Sequence, residues 1–376
     1  MDQAASTPAS QTATAAPAAP VEGLRAAVVG YGMAGRQFHV PLLRQAGWQV
    51  TAVTTGDPGR REQARSDLGE VAVLPDLDVL LQEVRSGAVT ADAVVLASPT
   101  GAHREQALAV IESGLALVVD KPLGLTAAEA TEIVEAARGQ VPLTVFQNRR
   151  YDPDMLTLAQ LVAGGELGEV VRAEMRWERW RPAPKQRWRE TLPAEQGGGV
   201  LLDLHAHTVD AVVQLFGPVA SVYAELASRT TIAEDEAFLS CRHVSGVISH
   251  LGVSSVTALP GPRWRVLGTH GSYLHGGLGE DPGPFAELHD EAGHCGWRYD
   301  GDGGRRPVPA AAGDEADFYR GVATALAGGW QGRLDTAQAA LPVDPADSVH
   351  VLAVIDAARI SAAEQRAVQV DTPGLR

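Results

Sequence analysis

The residues best suited to proton transfer lie in an apolar segment that follows two adjacent glycines, Gly198 and Gly199. Asp203 and His207 are four residues apart, so a helix places both on one face, whereas His205 lies about 200° around that helix from either residue. Histidine titrates near neutral pH, and a nearby carboxylate can orient its ring and stabilise its cation. The spacing predicts an acid/base pair of Asp203 and His207 and excludes a metal clamp made by the two histidines. The alternative is a pair that only fastens the helix inside its domain.

Lysine is almost missing from the chain, because Lys121 and Lys185 are the only lysines among its 31 basic residues. With such a bias, we expect arginine wherever a positive charge alone is sufficient. A retained lysine therefore indicates a need for a compact ammonium group that can lose its proton. Lys121 is a candidate catalytic residue on this ground. Chance retention on a solvated surface is the alternative, and it applies more strongly to Lys185, which lies in a proline-rich loop.

A glycine-rich turn near the N-terminus has the spacing of a dinucleotide-binding loop, and it stands between a short β-branched run and a helical stretch. Three glycines in such a loop permit a tight turn, close approach of a pyrophosphate and close packing of helix on strand. Backbone N–H groups at the helix N-terminus then bind the phosphates. We expect five residues of the turn to contact a nicotinamide dinucleotide: Gly30, Gly32, Met33, Ala34 and Gly35.

The end of the second predicted strand bears on the choice between NAD and NADP. NAD-binding folds place an acidic residue there, but this chain reads Thr54-Thr55, and Asp57 is better suited to the turn that follows. Arg60 and Arg61 come next and can bond a 2′-phosphate. The alternative is that both arginines are solvated residues of a first helical turn. The sequence therefore favours NADP over NAD, with Thr54 and Thr55 also at the cofactor.

The elements around the glycine turn alternate between strands and helices, which is typical of a doubly wound parallel α/β sheet. Apolar runs predict strands at residues 26–29, 50–54, 93–96, 117–119 and 143–146. Helices are predicted up to about residue 46, near residue 61, and at residues 103–112 and 127–137. We expect a Rossmann domain at residues 23–148, preceded by a disordered Ala- and Pro-rich tail at residues 1–22.

Beyond residue 148 the pattern changes to that of an α+β domain with a mostly antiparallel open sheet. Strand-like runs occur at residues 170–180, 219–226, 238–242, 247–253, 263–267 and 272–274. Helices are predicted at residues 154–163, 315–326 and 346–365, with the last of them against the first domain. We expect residues 149–376 to bind substrate and to form a homo-oligomer, a dimer or tetramer, through the polar face of the sheet. Plain solvation of that face is the alternative.

Charge and composition limit the partners of this chain. A formal net charge of −15 at pH 7 disfavours nucleic acid and anionic membranes and favours a small-molecule ligand. No run approaches the ~20 apolar residues that cross a bilayer, and the N-terminus lacks the features of a secretory signal. Cys241 and Cys295 lack zinc-motif spacing, which predicts free thiols in a reducing cytoplasm and no metal site. His289, His294 and Cys295 are interpreted as surface loop residues.

From residue 24 to residue 372 the chain resembles the Gfo/Idh/MocA oxidoreductases. Besides the glycine loop, Asp120-Lys121-Pro122 resembles the Glu-Lys-Pro signature of that family, and Gly198-Gly199 followed by Asp203 and His207 resembles its catalytic helix. The resemblance implies that Lys121 and His207 lie close to a substrate hydroxyl, with Asp203 beside them. Asp120 stands where glutamate is usual at the cofactor ribose. Four further residues are implied near the nicotinamide end: Ser98, Pro99, Thr100 and His103.

Further motifs resemble the NADP-dependent scyllo-inositol dehydrogenase branch of the family. They are the segment 146–152, Arg181-Pro182 and the segment 187–190, which reads Arg-Trp-Arg-Glu. The resemblance implies a sugar or cyclic polyol as substrate. Arginine, asparagine and tryptophan offer directed donors and an aromatic face to a hydroxyl-rich ring, although packing and surface ion pairs are the alternative. The expected substrate contacts in these segments are Asn148, Arg149, Tyr151 and Trp188.

The predicted reaction is hydride transfer between nicotinamide and a secondary alcohol or ketone. His207 takes the hydroxyl proton, and Lys121 stabilises the developing alkoxide. Two alternatives belong to other classes of protein. One is a redox-neutral NAD-dependent glycosidase or epimerase of the same superfamily, and the other is a non-catalytic dinucleotide-binding sensor. The presence of both Lys121 and His207 disfavours the sensor.

Overall fold

The computed structural model of this chain describes residues 23–276 and 290–371. The predicted tail at residues 1–22 lies outside the described residues, and so does His289. The described chain forms a six-stranded parallel sheet followed by a nine-stranded, mostly antiparallel sheet. This confirms the α/β class and both sheet types predicted from the sequence.

The first sheet has the strand order β3-β2-β1-β4-β5-β6, in which the chain winds outward from β1 on both sides. Residues 26–29 at its centre are buried, because helices cover both faces of a doubly wound sheet. Its strands are β1 Arg25–Val29, β2 Gln49–Thr54, β3 Ala72–Leu74, β4 Ala93–Leu96, β5 Ala116–Asp120 and β6 Leu143–Phe146.

The helices of this part are α1 Val40–Gln45, α2 Pro58–Leu68, α3 Leu77–Ser86, α4 His103–Glu112 and α5 Ala127–Ala137. A π-helical turn, Gly35–His39, precedes α1 where the sequence predicted ordinary α-helix. The sequence analysis also missed β3 and α3. The strand β3 has only three half-buried residues and shows no pattern, whereas α3 carried a readable signal because Asp76 caps its N-terminus.

The second sheet has the strand order β14-β13-β12-β11-β7-β10-β9-β8-β15, and β7 and β10 are its parallel pair. Its first strands are β7 Val170–Glu178, β8 Val219–Ala227, β9 Glu236–His243, β10 Ile248–Ser254 and β11 Trp264–Gly268. The others are β12 Gly271–His275, β13 His294–Asp300, β14 Arg305–Pro309 and β15 Val368–Gln369. The interpretation of His294 and Cys295 as surface loop residues is wrong, because both lie in β13 and Cys295 is 5% exposed.

The remaining helices are α6 Pro153–Ala163, α7 Trp188–Thr191, α8 Ala206–Phe216, α9 Ala316–Leu326, α10 Leu334–Ala339 and α11 Pro345–Glu364. Helix α11 packs against β8 and also against α5 of the first sheet, as predicted. The backbone N–H of Ala127 at the start of α5 donates a 2.8 Å hydrogen bond to the Asp356 carboxylate of α11. Among the described residues, no helix is long and apolar enough to cross a membrane.

Candidate active site

The glycine turn after β1 has the shape that a pyrophosphate requires. Gly30 has a φ of +102°, and a Cβ atom there would lie 2.7 Å from the carbonyl oxygen of Ala97. A Cβ atom on Gly35 would lie 1.9 Å from the carbonyl oxygen of Gly30, so only glycine permits this packing of helix on strand. Around Gly32 the space is open, because the atom nearest to where a Cβ would lie is Arg60 Nη1, at 3.9 Å. The turn therefore offers bare backbone to a phosphate group.

A cleft of about 590 Å³ opens at the carboxyl ends of β1, β2 and β4, where the winding of the sheet changes direction. Open α/β sheets bind their ligands at this point. Its volume falls within the range of ligand and cofactor pockets. Ten of the predicted cofactor residues line it: Gly30, Gly32, Met33, Ala34, Thr54, Thr55, Arg60, Ser98, Pro99 and Asp120.

The two arginines proposed for the 2′-phosphate have different positions. Asp57 caps the N-terminus of α2, where its carboxylate accepts a 2.8 Å hydrogen bond from the backbone N–H of Arg60. This agrees with its interpretation as a turn residue. The Arg60 side chain lines the cleft, whereas Arg61 is not among the lining residues. Only one of the two guanidinium groups is therefore placed to reach the cofactor.

His103 and Thr100 also lie behind the cleft and not in its wall. Both are buried, and the ring nitrogens of His103 lie 2.9 Å from the Pro122 carbonyl oxygen and 3.0 Å from the Ser98 carbonyl oxygen. Burial lowers the pKa of His103. In this position His103 ties the loop after β4 to the loop after β5, behind the residues that line the cleft.

A second cavity, of about 300 Å³, adjoins the cleft on the side of the second sheet. Met33, Ala34 and Asp120 are among the residues that line both spaces. Of the residues predicted to carry chemistry or bind substrate, four line the second cavity: Lys121, Asn148, Asp203 and His207. The structure therefore brings the candidate catalytic residues together beside the cofactor cleft. We call this space the reaction cavity.

Lys121 and Asp203 contact each other in the wall of the reaction cavity. The Nζ atom of Lys121 donates a 2.7 Å hydrogen bond to the backbone carbonyl oxygen of Asp203 and lies 3.6 Å from its Oδ1 atom. Arg189 Nε lies 2.8 Å from the same Oδ1 atom. Burial acts to raise the pKa of the Asp203 carboxyl, but Lys121 and Arg189 outweigh it and lower that pKa. Burial lowers the pKa of Lys121, although Asp203 opposes the shift.

His207 does not have the carboxylate partner that the sequence predicted. Its ring stacks on Trp177, with centroids 5.6 Å apart, and its buried Nδ1 atom has no hydrogen-bond partner in the described part of the chain. Asp203 instead faces Lys121 and Arg189, because hydrogen bonds between charged groups are stronger than a bond to a neutral imidazole. Burial, and then the positive charge of Lys121, lower the pKa of His207 well below its usual value. The ring is therefore neutral at physiological pH.

His205 points away from the reaction cavity, as the helical spacing predicted. It closes a π-helical turn, Leu201–His205, that leads into α8, and its side chain is fully buried. Its Nδ1 atom lies 2.7 Å from the Thr208 hydroxyl, and its Nε2 atom lies 3.3 Å from the Ala237 carbonyl oxygen. Burial lowers the pKa of His205 to about 4. This histidine fastens the helix inside the domain.

Three residues expected to contact substrate do not line the reaction cavity. Trp188 lines the cofactor cleft instead, and the guanidinium of Arg189 lies 4.3 Å from the centre of its ring. Arg149 bonds the carboxylate of Asp152, and Tyr151 packs edge-on against Phe318. The contacts of Trp188 and Arg149 are with residues close in sequence, whereas the contact of Tyr151 is with α9, which is remote in sequence.

Several residues of the reaction cavity were missed by the sequence analysis. One is His39, a buried residue at the end of the first π-helical turn, which no motif in the sequence indicates. Others belong to the motifs at 181–182 and 187–190, which were noted but used only for Trp188. Lys185, interpreted as a chance retention, lines the same cavity as Lys121. The missed lining residues are Phe38, His39, Phe146, Trp177, Arg179, Arg181, Lys185, Arg187, Arg189 and Leu204.

Comparisons with known proteins agree with this arrangement. The model of the oxidoreductase family with an NAD-binding Rossmann fold matches residues 24–146, and the model of the GFO/IDH/MocA C-terminal domain matches residues 155–274. Scyllo-inositol 2-dehydrogenase (NADP(+)) IolW from Bacillus subtilis is 27% identical over 366 residues, which are 93% of this chain and 97% of IolW.

One further relative has a higher identity than IolW, and one solved structure matches the same share of this chain as IolW does. The oxidoreductase YdgJ from Escherichia coli is 32% identical over 265 residues, which are 68% of this chain and 72% of YdgJ. The solved structure of the oxidoreductase yvaA from Bacillus subtilis superposes with a TM-score of 0.79 at 25% identity, covering 93% of this chain and 99% of that one. With an NAD(P)-binding Rossmann sheet and both family domains matched, the chain belongs to the Gfo/Idh/MocA family of oxidoreductases.

Proposed function

We propose that this oxidoreductase transfers hydride between a nicotinamide dinucleotide and a secondary alcohol or ketone carbon of a sugar or cyclic polyol. The observation that carries the proposal is the meeting of Lys121 and His207 in a cavity that shares its wall with the cofactor cleft. A proton donor or acceptor and a cationic group are what hydride transfer at a hydroxyl-bearing carbon requires. The similarity to IolW, named a scyllo-inositol dehydrogenase, supports a polyol substrate.

The residues around the reaction cavity suit separate parts of this reaction. The bound nicotinamide supplies or accepts the hydride. Backbone N–H groups of the glycine turn hold the pyrophosphate, and His207, neutral at physiological pH, is in the form that accepts the hydroxyl proton during oxidation. The ammonium of Lys121 donates a hydrogen bond to the same substrate oxygen as negative charge develops on it. The backbone carbonyl oxygen of Asp203 holds Lys121 in place by accepting a 2.7 Å hydrogen bond from the Nζ atom of Lys121.

The surroundings of these groups favour a hydroxyl-rich ring. The cavity of about 300 Å³ has the size of a small-ligand pocket. The His207 ring stacks on Trp177, and the Arg263 guanidinium lies 4.4 Å from the centre of the Trp177 ring, so the wall offers polar groups such as the Asn148 amide. Directed polar groups select the hydroxyls of a ring. A single sugar or inositol ring matches this combination.

NADP is proposed as the preferred cofactor. Arg60 supports this proposal because its guanidinium lies beside Gly32 and it lines the same cleft as Thr55, the residue after β2. The acidic residue at that position, Asp57, is engaged in capping α2. A carboxylate occupied by a backbone N–H is less available for the ribose hydroxyls that NAD presents there.

One experiment separates this function from its alternatives. The purified chain is incubated with inositols, aldoses or uronates and with NAD or NADP, and reduced cofactor is measured by its absorbance. A dehydrogenase forms reduced cofactor in proportion to product. A redox-neutral glycosidase or epimerase converts substrate without net reduction, and a sensor binds cofactor but converts nothing. Conversion without net cofactor reduction would contradict the proposal.

A homo-oligomer is proposed through the open face of the second sheet. Phe238 on β9 is 39% exposed and lies against His250 of β10, and both point away from the core. The same face carries Glu174 and Arg176 on β7 and Arg265 on β11, and Glu174 bonds both arginines. Phenylalanine and arginine are enriched at subunit interfaces, and the rim of an interface is polar.

A further inference from the structure

Three side chains with metal-binding atoms lie together in the second sheet. His275 ends β12, Cys295 is the second residue of β13, and Asp290 precedes β13. One ligand atom from each residue lies within 4.8 Å of the other two. His275 Nδ1 lies 3.0 Å from Asp290 Oδ2 and 3.9 Å from Cys295 Sγ. His275 and Cys295 are buried, so the group is a built cluster and not a surface encounter.

The donor atoms and their spacing match those of a zinc ion. Zinc binds thiolate, imidazole and carboxylate at about 2.0–2.3 Å in tetrahedral geometry, which places neighbouring ligand atoms about 3.3–3.8 Å apart. The 3.0 and 3.9 Å separations lie on either side of that range. A thiolate ligand disfavours magnesium and calcium. We propose that His275, Asp290 and Cys295 bind one zinc ion per chain.

The geometry differs from that of a catalytic triad made of the same residue types. In a triad the carboxylate and the nucleophile bond opposite nitrogens of the imidazole ring. Here Asp290 and Cys295 both approach the Nδ1 atom of His275. Three donor groups that converge on one point suit a shared cation better than a relay of protons.

The surrounding chain holds these ligands in place. The pairing of β13 with β14 shifts register between His294 and Trp297, a bulge of the kind that redirects a side chain. Gly296 in this bulge has a φ of +76°, and its backbone N–H donates a 2.8 Å hydrogen bond to Asp290 Oδ1. This leaves Oδ2 to face His275. Hydrogen bonds that orient ligands in this way are typical of metal sites.

The proposed ion has a structural role. None of the three residues lines the cofactor cleft or the reaction cavity, so the site is separate from the proposed reaction. An ion between His275 and Cys295 links β12 to β13, and His275 and Asp290 stand on either side of residues 277–289 in the sequence. Because only the folded chain brings these ligands together, metal binding adds to the stability of the fold.

The test uses the full-length chain without an affinity tag, stripped with a chelator and then titrated with Zn²⁺ or Co²⁺. We expect one ion per chain by elemental analysis, and a near-ultraviolet thiolate-to-cobalt absorption band. Zn²⁺ should raise the Tm of the chain, whereas Mg²⁺ should not. Cys295→Ser should abolish the band and weaken Zn²⁺ affinity by at least about 100-fold, since losing even an outer-shell partner costs about 10- to 100-fold. Cys241→Ala, at the other buried cysteine, should keep both properties.

Asp290→Asn covers the case in which Cys295→Ser does not fold. Asp290 is less buried, and the amide keeps the shape of the side chain, so this variant should fold and lose most of its zinc affinity. The proposal is overturned if the unaltered chain binds no zinc, or if the cobalt spectrum lacks the thiolate band. Full zinc affinity in Asp290→Asn and Cys295→Ser would likewise overturn it. The three residues would then only form hydrogen bonds with one another.

Discussion

The ammonium group of Lys121 donates a 2.7 Å hydrogen bond to the backbone carbonyl of Asp203 in the wall of the reaction cavity. Lys121 follows β5 of the first sheet. Asp203 lies in the π-helical turn that precedes α8, outside that sheet and its helices. Single π-helical turns are frequent at functional sites. Both such turns of the described chain contribute residues to this cavity, His39 from one and Asp203 from the other. The bond therefore fixes Lys121, the proposed catalytic lysine, relative to the helix that carries His207.

Replacing Asp203 with asparagine should change the pH dependence of the reaction. Asp203 raises the pKa of Lys121 against the lowering effect of burial, so its loss lets that pKa fall further. Activity that requires protonated Lys121 is lost as pH rises through the pKa of this group. The alkaline limb of the kcat/KM profile should therefore move to lower pH in Asp203→Asn. An unchanged alkaline limb would mean that Lys121 does not act in its protonated form.

Replacing His207 with alanine should reduce kcat by about 10²- to 10⁴-fold, the usual contribution of a positioned acid or base. NADP affinity should stay within a few fold, because the ring faces the reaction cavity and is not among the residues lining the cofactor cleft. Steady-state kinetics and calorimetric cofactor binding measure the two quantities. Lys121→Arg is the comparison. If it abolishes turnover while the acid limb of the pH profile survives in His207→Ala, Lys121 is the base.

The two adjacent arginines provide a matched pair for cofactor selection. Arg60→Ala should weaken NADP binding by roughly 10- to 150-fold, which corresponds to the loss of one hydrogen bond to a charged group, and should leave NAD binding nearly unchanged. Arg61→Ala removes the same charge one residue away, outside the cleft, and should have little effect. Titration of each variant with both cofactors measures the difference. Equal losses for NAD and NADP in Arg60→Ala would contradict a contact with the 2′-phosphate.

Buried neutral histidines should make the fold sensitive to acid, and His205 permits a test. Its pKa is about 4 in the folded chain, below the ordinary value of 6.5. The unfolded chain therefore binds the extra proton first. Stability from the neutral ring is complete above about pH 6.5 and falls toward pH 4, by about 3 kcal/mol for this group. Urea unfolding of His205→Gln should show a shallower loss between these pH values. If the free energy of unfolding of His205→Gln falls with pH as steeply as that of the unaltered chain, the lowered pKa of His205 is refuted.

The open face of the second sheet should mediate self-association. Light scattering should give a mass that is a multiple of the 39.5 kDa chain. Phe238→Asp places a charge on the exposed apolar position of β9 and should lower that mass, because an unpaired charge is costly to bury at an interface. Circular dichroism checks that the variant remains folded. A monomer at working concentration in the unaltered chain would rule out this interface.

Short-range patterns were sufficient to predict most of the first sheet. The strands at 93–96 and 143–146 and the helices at 103–112 and 127–137 have the predicted bounds. Each is an apolar run or an amphipathic stretch between clear turn signals, so its neighbours in sequence decide its structure. The glycine turn was predictable from its spacing, and the constraint on Gly35 is local because it comes from Gly30, whereas the constraint on Gly30 comes from Ala97, just after β4.

The pairing of charged side chains was decided only by the tertiary structure. Spacing placed Asp203 and His207 on one helical face, but spacing does not show which groups arrive from elsewhere. Lys121 comes from 82 residues away, and with Arg189 it takes the carboxylate, leaving His207 on Trp177. The same limit applies to Cys295, which has no nearby cysteine in the sequence and meets His275 only because β12 and β13 pair. Local sequence determines which elements form, whereas long-range packing determines which charges and ligands meet.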